Sequence, residues 1–152
     1  MNKSTKTLAG RALLAIIFFS ISATAAAQMS PVGLWKTIDD DGKTEKSLVR
    51  ITESAGVLSG VIEKIFDPSK QDSKCDQCSD ERKDKPALGM TIIRNVRQDA
   101  EDKNIWSGGE ILDPNNGKSY KTRLKPVEGG KKLEMRGYIG FFYRTQVWLR
   151  AE

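Results

Sequence analysis

Hydrophobic and polar residues alternate with a period of two along the C-terminal third of the chain. Tyr120, Thr122 and Leu124 fall on one face of a segment whose other face is Lys121, Arg123 and Lys125. Leu133, Met135, Gly137 and Ile139 repeat the pattern against Lys132, Glu134 and Arg136. In the last segment Tyr143, Thr145, Val147 and Leu149 are read as the covered set. Successive side chains of a strand point to opposite faces, so this spacing predicts strands with one side buried and the other wet.

Eight segments read as strands: 32–38, 44–52, 57–66, 90–96, 104–112, 119–125, 131–139 and 143–150. Turn-forming words separate several of them, including Asp39-Asp40-Asp41-Gly42, Glu53-Ser54-Ala55-Gly56 and Asp113-Pro114-Asn115-Asn116-Gly117. Short connections favour antiparallel neighbours, because a parallel crossover needs roughly a dozen residues or more. A meander of this length hides its edges by closing on itself. The expected fold is therefore all-β, an eight-stranded antiparallel up-and-down barrel, with an open two-sheet sandwich as the alternative. Residues 67–89 break the rhythm. They hold both cysteines among six acids and five bases and read as a long loop, either a lid or a mobile segment.

The N-terminal 27 residues have a different pattern. Lys3, Lys6 and Arg11 precede an apolar run at 12–21, and small residues lead to Ala25-Ala26-Ala27 before Gln28. This is the layout of a cleaved signal peptide, and the run is shorter than the roughly 20 residues a membrane span needs. The expected organisation is a leader, 1–27, and a single domain, 28–152, in the periplasm or outside the cell. Three of the 25 basic residues lie in the leader, which leaves 22 against 20 acids and reduces a formal +5 to +2. Charges this evenly mixed leave no nucleic-acid footprint, and no stable membrane insertion is expected of the mature chain.

Certain words then stand out in order. These are Gly33-Leu34-Trp35, Cys75-Asp76-Gln77-Cys78, the run from Trp106 to Tyr120 across the hairpin, Arg136-Gly137-Tyr138-Ile139-Gly140, and Arg144-Thr145-Gln146-Val147-Trp148-Leu149-Arg150. Together they resemble the small secreted bacterial family known as domain of unknown function 2147, over roughly residues 32–150. The resemblance implies a lipocalin-like barrel and no established reaction. Lipocalins carry a Gly-x-Trp on the first strand with a basic side chain laid across the indole. Gly33 and Trp35 match that word, and Arg144 or Arg150 is the expected cation closing the barrel. The C-terminal helix typical of lipocalins has no counterpart after the last strand, which puts a lipocalin-sized cavity in question.

With no histidine and only two cysteines, most catalytic, haem and zinc chemistry is removed. Cys75 and Cys78 are expected to form a disulfide in an oxidising compartment. Ser79 follows the second cysteine where haem attachment needs histidine, and two thiolates alone make a poor zinc site. A redox-active dithiol remains as an alternative, although Asp76 and Asp80 raise rather than lower a thiol pKa. Nothing in the spacing brings Glu63 and Glu110 together for acid–base catalysis. No catalytic residue, metal ligand or cofactor is assigned.

Candidate ligand contacts are Trp106, Tyr120, Arg123, Arg136, Tyr138 and Arg144. Arg123, Arg136, Tyr138 and Arg144 form either a solvated outer face or a cationic, aromatic-lined pocket, depending on which way the strands face. The leading functional expectation is an exported barrel that binds a small hydrophobic or amphipathic ligand, a binding protein rather than an enzyme. An envelope protein-interaction module with a filled barrel, and a thiol-disulfide module, are the alternatives.

Overall fold

The computed structural model describes residues 29–152, so the expected leader and its cleavage point near Ala27 lie outside the described residues. Eight strands follow one another: β1 (Gly33–Ile38), β2 (Glu45–Ser54), β3 (Val57–Ile65), β4 (Thr91–Gln98), β5 (Trp106–Asp113), β6 (Lys118–Val127), β7 (Lys132–Ile139) and β8 (Phe142–Arg150). Each pairs antiparallel with its sequence neighbours, and β8 returns to β1, giving a closed barrel in simple up-and-down order. Single 3₁₀ turns occur at Pro68–Lys70 and Glu128–Gly130.

The alternation on β6 and β7 determines the inner surface. Thr122 and Leu124 face Gly137 and Met135 across the ladder, and these positions are interior. β8 reverses the expected assignment. Its pairing sets Leu133 against Trp148, Met135 against Gln146 and Gly137 against Arg144, so the even-numbered residues face inward. Trp148 is only 2% exposed, whereas Val147 and Leu149 stand at the surface. Both faces of β8 carry apolar residues, and the ladder with β7, whose inner face carries Leu133 and Met135, selects the one that holds Trp148.

The connections sort the barrel into two ends. The β2–β3, β4–β5 and β6–β7 turns lie at the floor, along with the chain's entry into β1. The β1–β2, β3–β4, β5–β6 and β7–β8 connections lie at the mouth. The floor is filled by side chains. Trp35, Val49, Ile51, Leu58, Val96, Leu124 and Leu133 are all fully buried.

Closure between β1 and β8 is short. The ladder comprises two residue pairs, Trp35–Arg150 and Lys36–Leu149. Higher up, side chains span the seam: Gln146 Nε2 donates to Asp40 Oδ1 at 3.1 Å, and the Arg144 guanidinium pairs with Asp40 Oδ2.

Candidate functional site

At the floor, the Arg150 guanidinium lies 4.1 Å from the Trp35 ring centroid, a stacked cation–π arrangement. Its N–H groups donate to the carbonyls of Gly130 (2.5 Å), Val32 (2.9 Å) and Ser30 (2.7 Å). The indole N–H of Trp35 donates to the Pro31 carbonyl at 2.6 Å. Gly33 makes this possible: any side chain there would collide with Arg150 Nη1. Burial pushes the Arg150 guanidinium down from its usual range. Of the two arginines considered for this position, Arg150 occupies it. Arg144 lies toward the opposite end, at the mouth, and makes no contact of this kind with Trp35.

Above the floor the barrel opens into a cavity of about 840 Å³. Ile62, Ile92, Ile111, Met135 and Trp148 contribute apolar wall. Polar groups gather toward the rim. The Trp148 indole N–H donates to Gln146 Oε1 at 3.2 Å, and Gln146 continues to Asp40 and thence Arg144. Across the mouth, Asn116 Nδ2 donates to the Tyr120 hydroxyl and to Asp113 Oδ2, each at 3.1 Å. On the β1–β2 turn, the Thr44 hydroxyl and then its backbone N–H hold the Asp41 carboxyl below the usual range; on the β3–β4 connection, the hydroxyl and N–H of Ser69 do the same for Asp67.

The long β3–β4 connection is folded against the barrel. Cys75 and Cys78 are joined by a disulfide and belong to the hydrophobic core, at 0% and 3% exposure. Lys74 bridges to Pro86, Cys75 N–H donates to Lys85 O at 3.0 Å, and Ala87 N–H to Ser73 O at 2.8 Å. Gly117, in the β5–β6 turn, lets the disulfide loop seat closely, because a β-carbon there would meet the Gln77 carbonyl.

Arg82 fixes the far side of the same connection. It is buried and donates to both Asp80 carboxylate oxygens, the Thr91 carbonyl (3.2 Å), Ser119 Oγ (3.2 Å) and Glu110 Oε1 (3.4 Å). Nearby, Arg94 pairs with Glu81 at 2.5 Å. The Arg82 guanidinium, and then its backbone N–H, depress the Asp80 carboxyl to about 2.

The candidate ligand contacts separate into three groups. Tyr120 and Arg144 line the cavity. Trp106 is buried in the core, opposite Leu124, and does not line it. Arg123, Arg136 and Tyr138 alternate outward: Arg123 and Tyr138 border a groove on the outer surface, and Arg136 stacks on Tyr143 at 4.1 Å and donates to Thr145 Oγ1. The inward-facing cationic pocket is therefore reduced to one arginine. Gln146 and Trp148 also line the cavity, although the alternation of β8 assigned the covered face to Val147 and Leu149. Their face was legible only through the pairing of β8 with β7.

A closed eight-stranded antiparallel meander with an arginine on the first-strand tryptophan and a cavity open at one end defines a lipocalin-like barrel. The chain belongs to the family described as uncharacterized protein conserved in bacteria, DUF2147, whose model matches residues 33–150. Among solved structures it is similar to protein HP1028 from the human pathogen Helicobacter pylori, which is described as belonging to the lipocalin family. The TM-score is 0.67 at 20% identity, covering 80% of this chain and 82% of that one. Comparison with curated proteins gives no match. No helix among the described residues is long and apolar enough to cross a membrane.

Proposed function

We propose that the protein binds a small amphipathic molecule, with the apolar part in the barrel and a polar head at the rim beside Arg144, Gln146 and Tyr120. The observation that carries this reading is the cavity itself. At about 840 Å³ it falls within the roughly 300–1,000 Å³ of small-molecule sites. Its apolar wall offers burial of hydrocarbon, and its few polar side chains offer orientation. The burial of Cys75 and Cys78 counts against thiol–disulfide exchange, because an attacking thiolate needs access to a sulfur.

Native mass spectrometry of protein purified from its own host tests this, with a co-purifying lipid-sized mass as the expected result. Gly137 provides the matched control. It lines the cavity, and a β-carbon there meets only ordinary contact, 3.6 Å from Tyr120 Cβ. Gly137→Trp should obstruct the cavity and diminish the bound mass while the barrel still unfolds cooperatively. A wild-type barrel that is always empty, or an unchanged bound mass in Gly137→Trp, would count against cavity binding.

The leader supports export to the periplasm or beyond as part of this proposal. The intact mass of the recovered protein should then correspond to a chain beginning near Gln28.

A further inference from the structure

The β7–β8 hairpin carries the most exposed apolar residues of the described chain. Phe141 is fully exposed and Phe142 80% exposed, and Ile139 and Tyr143 on either side are also exposed. The turn is tight, with Ile139 paired to Phe142, so the two phenylalanines project as one rigid aromatic tip. Exposed large apolar groups in contiguous order mark an interaction surface rather than ordinary surface composition.

Position and charge say what the tip meets. Ile139, Arg144 and Gln146, which flank the tip on β7 and β8, line the cavity, so the tip sits on the rim of the mouth. Behind it, on the outer face, Lys121 lies opposite Tyr138, and Arg123 lies opposite Arg136. None of Lys121, Arg123 and Arg136 forms an ion pair among the described residues. Tyr138 and Tyr143 stand level with Lys121, with ring centroids 6.1 Å apart, and Arg123 and Arg136 lie further from the tip. At roughly 3.3 Å per residue, Lys121 lies about 3 Å, and Arg123 and Arg136 about 10 Å, back along the strands from the level of Phe142. Apolar aromatics at the tip, then tyrosines beside a lysine, then two arginines follow the order of a bilayer surface read outward from its acyl boundary.

We propose that the β7–β8 hairpin docks its own side of the barrel rim on an anionic bilayer. Phe141 and Phe142 enter the headgroup–acyl boundary, while Lys121, Arg123 and Arg136 meet the phosphates. The contact is peripheral: the tip is short, and no strand crosses the membrane. It places the β7–β8 edge of the rim against a lipid surface, and it stands or falls independently of what the cavity holds.

Co-sedimentation of the protein, as its host retains it, with phosphatidylglycerol and with phosphatidylcholine vesicles tests this. The wild type should bind phosphatidylglycerol vesicles at least about tenfold more tightly than phosphatidylcholine, since each basic residue near an anionic surface contributes about fivefold. Raising NaCl from about 50 mM to about 500 mM should weaken that binding. Phe141→Asp/Phe142→Asp should lose binding by about tenfold or more with an unchanged melting curve, because the tip lies outside the core. Lys121→Gln/Arg123→Gln/Arg136→Gln should lose the preference for phosphatidylglycerol. Equal binding of wild type to both vesicles, or full binding by Phe141→Asp/Phe142→Asp, overturns the proposal. No binding by wild type to either vesicle overturns it too.

Discussion

Two arginines of β8 face the same way and do different work. Arg150, at the floor, lies on Trp35 and gives its N–H groups to three backbone carbonyls; Arg144, at the mouth, pairs with one carboxylate and has a side chain 60% exposed. A guanidinium carries five donors and no acceptor, so burying it requires fixed oxygens on several sides. The floor supplies them from the chain's entry into β1 and from the β6–β7 turn. The mouth leaves part of Arg144 to solvent, where the pair contributes little to stability but remains available to an incoming polar group. The floor thus concentrates the packing, and the mouth concentrates the chemistry. The disulfide belongs to the second region. A four-residue ring constrains the unfolded chain by only about 2 kcal/mol, so its role is to shape the wall of the mouth.

The contrast can be broken most severely at Trp35. Trp35→Ala should cost about 3–5 kcal/mol in a denaturant titration, as truncation of a fully buried indole does. A smaller effect comes from Arg150→Met, which leaves carbonyls without donors and removes the stack, at roughly 2–3 kcal/mol by the same titration. Arg144→Met is its partner experiment: the unfolding midpoint should stay put while binding of the proposed amphipathic ligand weakens. If both arginine variants shift the midpoint equally, the division between floor and mouth is lost.

The smallest effect is acidic. Asp80 titrates near 2 in the folded protein, against an ordinary 3.8, so its contribution is complete above about pH 4 and disappears as pH falls toward 2. Wild type and Asp80→Asn should therefore differ in melting temperature near neutrality and converge at about pH 2. The side chain is 37% exposed, and solvent screening keeps the difference small.

Barrel order, strand count and the Gly33–Trp35 word were readable in the sequence because alternation and turn chemistry are local. β8 was misassigned for a physical reason. Val147 and Leu149 outnumber Trp148 as apolar residues, and only the pairing with Leu133 reveals which face is covered. The same inversion put Gln146 out of sight and Arg144 on the outer face, whereas the alternation of β6 and β7 placed Arg123 and Arg136 on the wet side where they are found. Residues 67–89 were opaque for another reason. Their charges conceal three buried anchors, Cys75, Cys78 and Arg82, which follow no period and are held by partners remote in sequence, such as Gly117 and Ser119.

The two-pair ladder between β1 and β8 has a kinetic consequence. It joins Trp35 to Arg150, nearly the full span of the barrel, so the loop it closes is the most expensive in chain entropy and is expected to form late. Until then the nascent sheet has two bare edges, each able to template pairing with another chain. The acidic β1–β2 turn, Asp39-Asp40-Asp41, and the nearby lysines Lys36, Lys43 and Lys46 keep one of those edges charged while it waits.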